Sequence, residues 1–133
     1  MGGQVNKGEG MGISEPQEIH RAVEEAFNTK DLDGLVALYE TDARMVTPDG
    51  SVAVGTDEIR DQWQAILAMN VPMRVRTRFC VEMGDIALLR NDWNVESPDF
   101  ELASSACEVV RRQPDGSWRY IVDHPFGASD MIP

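Results

Sequence analysis

At 133 residues, 42% of them hydrophobic and three of them Trp, the chain has the size and composition of one globular domain, not of a disordered segment. Its formal net charge of −11 argues against nucleic acid or anionic membrane as main partners, because phosphate binding needs clustered Lys and Arg. There is no apolar leader and no apolar run of about eighteen residues, so neither secretion nor membrane insertion is signalled and the cytoplasm is the expected location.

Residues 1–13 hold five glycines without periodicity and are expected to form a disordered leader. Ser14 and Gln17 are spaced as a capping box, and Pro16 fits a first helical turn. Ile19, Val23, Ala26 and Phe27 then recur at helical spacing. Asp31 caps a short second helix carrying Leu32, Leu35, Val36 and Tyr39. The period then changes. Residues 43–47 and 51–54 read as two short strands joined by the turn Pro48-Asp49-Gly50. Thr56 is expected to cap a third helix, with Asp57 and Glu58 in its first turn and Ile59, Trp63, Ile66 and Leu67 on its buried stripe.

From residue 73 onward the pattern is all strand. Met73, Val75, Thr77, Phe79, Val81 and Met83 alternate with Arg74, Arg76, Arg78 and Glu82, the period-2 mark of a sheet with one buried face. Ala87, Leu89, Asn91, Trp93 and Val95 form the matching set of the next strand. A final hairpin, Ser104 to Gly127, turns at Pro114-Asp115-Gly116 and carries Glu108, Asp123 and His124. The order α-α-β-β-α-β-β-β-β predicts an α+β domain over residues 14–128, followed by a tail at 129–133. Three helices on a curved antiparallel sheet leave a hollow, the usual place for a small-molecule site.

Several residues carry a further likeness: Asp31 to Tyr39 (DLDGLVALY), Thr41-Asp42-Ala43, Pro48, Gly55-Thr56 with Ile59-Arg60, Asp115 to Trp118, and Phe126-Gly127. On these the chain resembles the nuclear-transport-factor-2-like superfamily, in its ketosteroid isomerase-like and SnoaL-like (polyketide cyclase-like) branch, across residues 14–128. The resemblance implies a cone-shaped fold, an internal pocket and commonly a homodimer. Its members include isomerases, cyclases and hydrolases as well as non-catalytic binding and assembly domains. In the isomerases a carboxylate base stands where this chain has Thr47 and a tyrosine where it has Val23, so steroid isomerase activity is not expected. Glu108 matches their third group, a protonated acid, and Asp123 stands near the acid/base Asp of the cyclases.

The candidate catalytic residues are therefore Asp123, His124 and Glu108. Strand parity with Trp118 and Tyr120 favours His124 as the inward residue, while the resemblance favours Asp123, and both remain candidates here. A carboxyl group in an apolar hollow has its pKa raised and can exchange protons near neutral pH. The plain alternative is that these acids pair with surface Arg and the His is a bonded rim residue. Val23, Trp63, Asn91, Trp93 and Ile121 are the candidate ligand-binding wall, with core packing the alternative for the aromatics. A small, largely apolar organic ligand is the expected partner. Arg74, Arg76 and Arg78 facing Asp92 or Glu96 are expected near a twofold sheet contact. Cys80 and Cys107 lack metal spacing and read as buried free thiols; no metal or cofactor is implied. The competing reading is a non-catalytic ligand-binding or dimerisation module.

Overall fold

The computed structural model describes residues 13–129. The expected leader and tail thus lie, apart from Ile13 and Ser129, outside the described residues. The elements follow the predicted order: α1 (Glu18–Asn28), α2 (Leu32–Val36), β1 (Tyr39–Val46), β2 (Val52–Val54), α3 (Gly55–Leu67), β3 (Met73–Met83), β4 (Ile86–Ser97), β5 (Phe100–Arg112) and β6 (Trp118–His124). Among the described residues no helix is long and apolar enough to cross a membrane.

The six strands form one curved, unclosed sheet in the order β2-β1-β6-β5-β4-β3. It is mixed, where a wholly antiparallel sheet was expected, because β6 lies parallel to β1. Parallel neighbours need a long connection, and here everything from β2 to β5 serves as that connection. The helices cover one face. Ile19 and Phe27 of α1, Leu35 of α2 and Ile59 of α3 are buried against Leu89, Val110, Trp118 and Tyr120 of the sheet.

Two helix starts differ from expectation. Glu18 closes the entry to α1, its carboxylate accepting from the backbone N–H groups of Ser14 (3.0 Å) and Glu15 (3.2 Å), while Gln17 stands at the N-cap without a side-chain bond. Thr56 does not cap α3. The helix begins at Gly55, and Glu58 accepts from the N–H of Val54 at 2.7 Å. Gly55 has φ +85, and a Cβ there would come within 3.3 Å of the Thr41 carbonyl, so glycine is required at this corner. Asp31 caps α2 as predicted, accepting from the Gly34 N–H at 2.9 Å.

Register breaks in two strands decide which side chains face the helices. In β3 the pairing with β4 shifts between Thr77 and Phe79. An extra residue flips the side-chain alternation beyond it. Met73 is buried and Val75 half-buried, but Phe79, Val81 and Met83 are 43%, 57% and 82% exposed, so the uniform alternation expected for this strand fails at its midpoint. In β6 the partner of Val110 is Tyr120, whereas the partner of Val109 is Val122, which leaves Ile121 as the extra residue.

The face of the sheet turned away from the helices carries Val81, Leu88, Val109 and Val122 in one cross-strand row. Beside it Asp92 is already occupied within the chain, receiving Arg78 at 3.2 Å and the Ser105 hydroxyl at 2.7 Å. Cys80 and Cys107 are free thiols and half-buried, not fully buried as expected.

Candidate functional site

Between the sheet, α1 and α3 lies a cavity of about 190 Å³. Val23, Trp63, Met73, Trp93 and Phe126 supply much of its apolar wall. Most of its polar groups come from neighbouring strands, Tyr39 on β1, Asn91 on β4, Glu108 on β5, and Tyr120 and Asp123 on β6, and Gln62 of α3 joins them. Glu108 and Asp123 sit directly opposite each other on β5 and β6. Both are buried, at 3% and 5% exposure.

Each carboxyl has its own set of donors. Glu108 takes one bond from His20 Nε2 at 2.6 Å and one from Asn91 Nδ2 at 3.0 Å. His20, itself buried on α1, is held from its other side by the Thr77 hydroxyl at 2.6 Å from Nδ1. Asp123 receives the Tyr39 hydroxyl at 2.6 Å, and Tyr39 in turn accepts the Trp63 indole N–H at 3.1 Å. The Asn91 Oδ1 is buried without a hydrogen-bond partner among the described residues. Trp93 donates to the Pro125 carbonyl at 2.7 Å and meets Phe126 edge-on at 5.7 Å, which fixes one rim.

The electrostatics follow from burial. Desolvation first, then the neighbouring Glu108 charge, push the Asp123 carboxyl up to about 8, against which the Tyr39 hydrogen bond pulls weakly. The Tyr39 and Tyr120 hydroxyls are raised well above the ordinary phenol value, chiefly by desolvation and then by the nearby acids. At neutral pH, Asp123 is therefore an uncharged acid with an exchangeable proton at the cavity wall.

The structure brings together Asp123, Glu108, Val23, Trp63, Asn91 and Trp93. It separates two expected members. His124 pairs with Cys107 on the opposite face, and its Nδ1 accepts the Phe126 N–H at 3.3 Å. Ile121 sits in the bulge and does not line the cavity. The physical reason is shared: the extra residue lets Tyr120 and Asp123 face the same way although three positions apart. Regular alternation predicts the reverse and so pointed to His124. Thr47 bonds to Asp49 at 2.6 Å and is absent from the cavity lining.

Sequence reasoning passed over His20, Tyr39 and Tyr120. For His20 a signal existed: with Val23 and Phe27 it follows the helical period of the buried stripe, and a polar residue on such a stripe needs a partner. Tyr39 continues the helical period of α2 in the sequence, yet β1 begins with it, four residues before the predicted strand start. Among the described residues no group of three or more His, Cys, Asp or Glu is arranged to hold a metal ion.

Comparison with known proteins places this geometry in context. The family model described as a SnoaL-like domain matches residues 19–121. No protein of curated function matches the sequence. Among solved structures, a protein from Thiobacillus denitrificans described as a "putative calcium/calmodulin-dependent protein kinase type II association domain" aligns with TM-score 0.73 at 19% identity, covering 84% of this chain and 94% of that one. An NTF-2 like protein of unknown function from Shewanella oneidensis aligns with TM-score 0.72 at 17% identity, over 81% and 93% of the two chains. A ketosteroid isomerase-like protein from Erwinia carotovora atroseptica aligns with TM-score 0.65 at 21% identity, over 81% and 89%. At these identities the structures share the fold with this chain.

Proposed function

The chain belongs to the SnoaL-like domain family, within the NTF2-like fold, and from that premise we propose that it binds a small, largely apolar organic molecule in the cavity and exchanges a proton with it through Asp123. The observation that carries this reading is the Asp123 carboxyl, buried opposite Glu108 at a largely apolar cavity and raised to about 8 by that burial first and by the Glu108 charge second. An acid with a pKa near ambient pH both gives and takes protons readily. Proton transfer or ring closure by acid/base catalysis is the chemistry such a group serves, with no resident cofactor in this reading.

The remaining parts have positioning roles. His20 and Asn91 hold Glu108 in place, and burial first, then the Glu108 charge, keeps Asp123 protonated. Tyr39, braced by Trp63, orients the carboxyl. The test uses single-ring carbon acids in deuterated buffer, with binding read by quenching of Trp63 and Trp93 and exchange read by NMR. Asp123→Asn is expected to keep binding and lose exchange. Exchange undiminished in that variant would remove the catalytic half of the proposal and leave a binding module.

A second reading concerns assembly. The exposed row Val81, Leu88 and Val122 on the outer face supports a homodimer formed sheet to sheet, with apolar residues and not the Arg74–Arg78 series at its centre.

A further inference from the structure

We infer that the molecule taken up by this cavity is a single-ring-sized organic amine, held as its ammonium ion by Asp123 and Glu108. The inference rests on the cavity reading above and names its substrate class.

Size comes first. A dry engineered cavity of about 150 Å³ holds benzene, and this one is about 190 Å³. One ring with a short substituent fills it.

Charge comes second. Among the described residues lining the cavity there is no Lys, Arg or His; the carboxyl-bearing members are Glu108 and Asp123. The only base in the cluster, His20, is spent behind Glu108, bonded on both ring nitrogens. An anionic ligand would place a third acid beside two, with no donor of positive charge to meet it. A cation meets the opposite situation.

Hydrogen-bonding capacity comes third. Glu108 accepts, so Asn91 must turn its Nδ2 toward it, and this leaves the amide oxygen as the atom without a partner. Asp123 uses one oxygen on Tyr39 and, once its proton leaves, has the other to offer. An ammonium group carries three donors and no acceptor, which complements this set. The walls agree: Tyr39, Trp63, Trp93, Tyr120 and Phe126 line the same cavity, and aromatic faces attract desolvated cations.

The proton balance is simple. An ammonium ion entering from water displaces the Asp123 proton to solvent, so R–NH3+ and the neutral acid become an ammonium–carboxylate pair plus one released proton. The groups that face Asp123 are Tyr39 on β1, Glu108 on β5 and Tyr120 on β6, with Trp63 of α3 behind Tyr39 and His20 of α1 behind Glu108. Both tyrosines stay protonated across the range used here. Affinity should therefore rise with pH until Asp123 ionises unaided.

The experiment titrates the whole chain with benzylamine, benzyl alcohol and benzoate by calorimetry near pH 7, in two buffers of different ionisation enthalpy. Expected are benzylamine binding at least about tenfold tighter than benzyl alcohol, release of close to one proton per benzylamine, and no measurable benzoate binding. Asp123→Asn should abolish the proton release and the amine preference while benzyl alcohol still binds. If benzyl alcohol matches or exceeds benzylamine, or benzylamine binds without proton release, the amine inference is overturned and the cavity reading stands. If none of the three binds, both fall.

Discussion

His20 and Glu108, 88 residues apart in sequence, meet through a 2.6 Å hydrogen bond with both side chains buried. The bond ties α1 to β5 and places the one imidazole of the cluster behind the acid. Removing either partner leaves a buried polar group stranded, whereas removing both does not.

His20→Leu is therefore expected to lower stability by about 3 kcal/mol, within the range found when one member of a buried pair is lost. His20→Leu combined with Glu108→Leu should recover a large part of it. Urea unfolding of the two variants checks this; a double variant no more stable than His20→Leu alone would contradict it.

Asp123 gives stability a pH dependence whose sign is fixed by its raised value. The folded carboxyl is pushed up to about 8 from its ordinary value of 3.8. Its contribution is fully present below pH 3.8 and is lost as pH climbs toward 8, because the folded state holds the proton longer than the unfolded chain. The wild-type chain should lose up to about 1.4 kcal/mol per pH unit relative to Asp123→Asn between those limits. Urea midpoints of both proteins at several pH values read the difference. A parallel pair of curves would show Asp123 to be solvated.

Val23→Phe adds a ring to the cavity wall without introducing a polar atom. Benzyl alcohol or benzylamine affinity should fall by at least about tenfold, while the melting temperature holds or rises. Retained affinity would place the ligand elsewhere.

The outer-face row predicts its own test. Leu88→Asp together with Val81→Asp should convert a homodimer into a monomer in light scattering, without loss of the far-ultraviolet helix and strand signal. A wild-type chain already monomeric at micromolar concentration would remove the dimer.

Steroid isomerisation is expected to be absent. Val23 lines the cavity without a hydroxyl, Thr47 is spent on the Asp49 turn, and a cavity of about 190 Å³ suits one ring better than four. Conversion of a β,γ-unsaturated ketosteroid, followed by absorbance, would contradict all three points together.

Much of the fold was legible because local chemistry and tertiary packing agree. Asp31 caps α2 as its residue type predicts, and the turns at Gly50 and Gly116 use the positive φ that glycine allows. Part of the cavity wall was legible too: Glu108, Asp123, Asn91 and both cavity tryptophans follow from their strands and stripes. What could not be read were departures from regular period. A single unpaired residue at Ile121 and another break after Thr77 carry no compositional mark, yet they choose the buried face for every residue beyond them. The partnership of His20 with Glu108 was hidden for another reason: helix period says that a face is buried, not which strand will cover it.

The irregularity in β6 has a meaning for how such proteins are compared and altered. A strand works like a message read two letters at a time, and Ile121 is an inserted letter. An ungapped comparison with a regular strand would equate Asp123 with an outward residue and credit its neighbour with the chemistry. Moved past Asp123, the same insertion would present Val122 and His124 to the interior and turn the carboxyl outward, exchanging an acid for an imidazole with no change in composition. Where the strand slips is thus an inherited property in its own right, as open to selection as the side chains it aims.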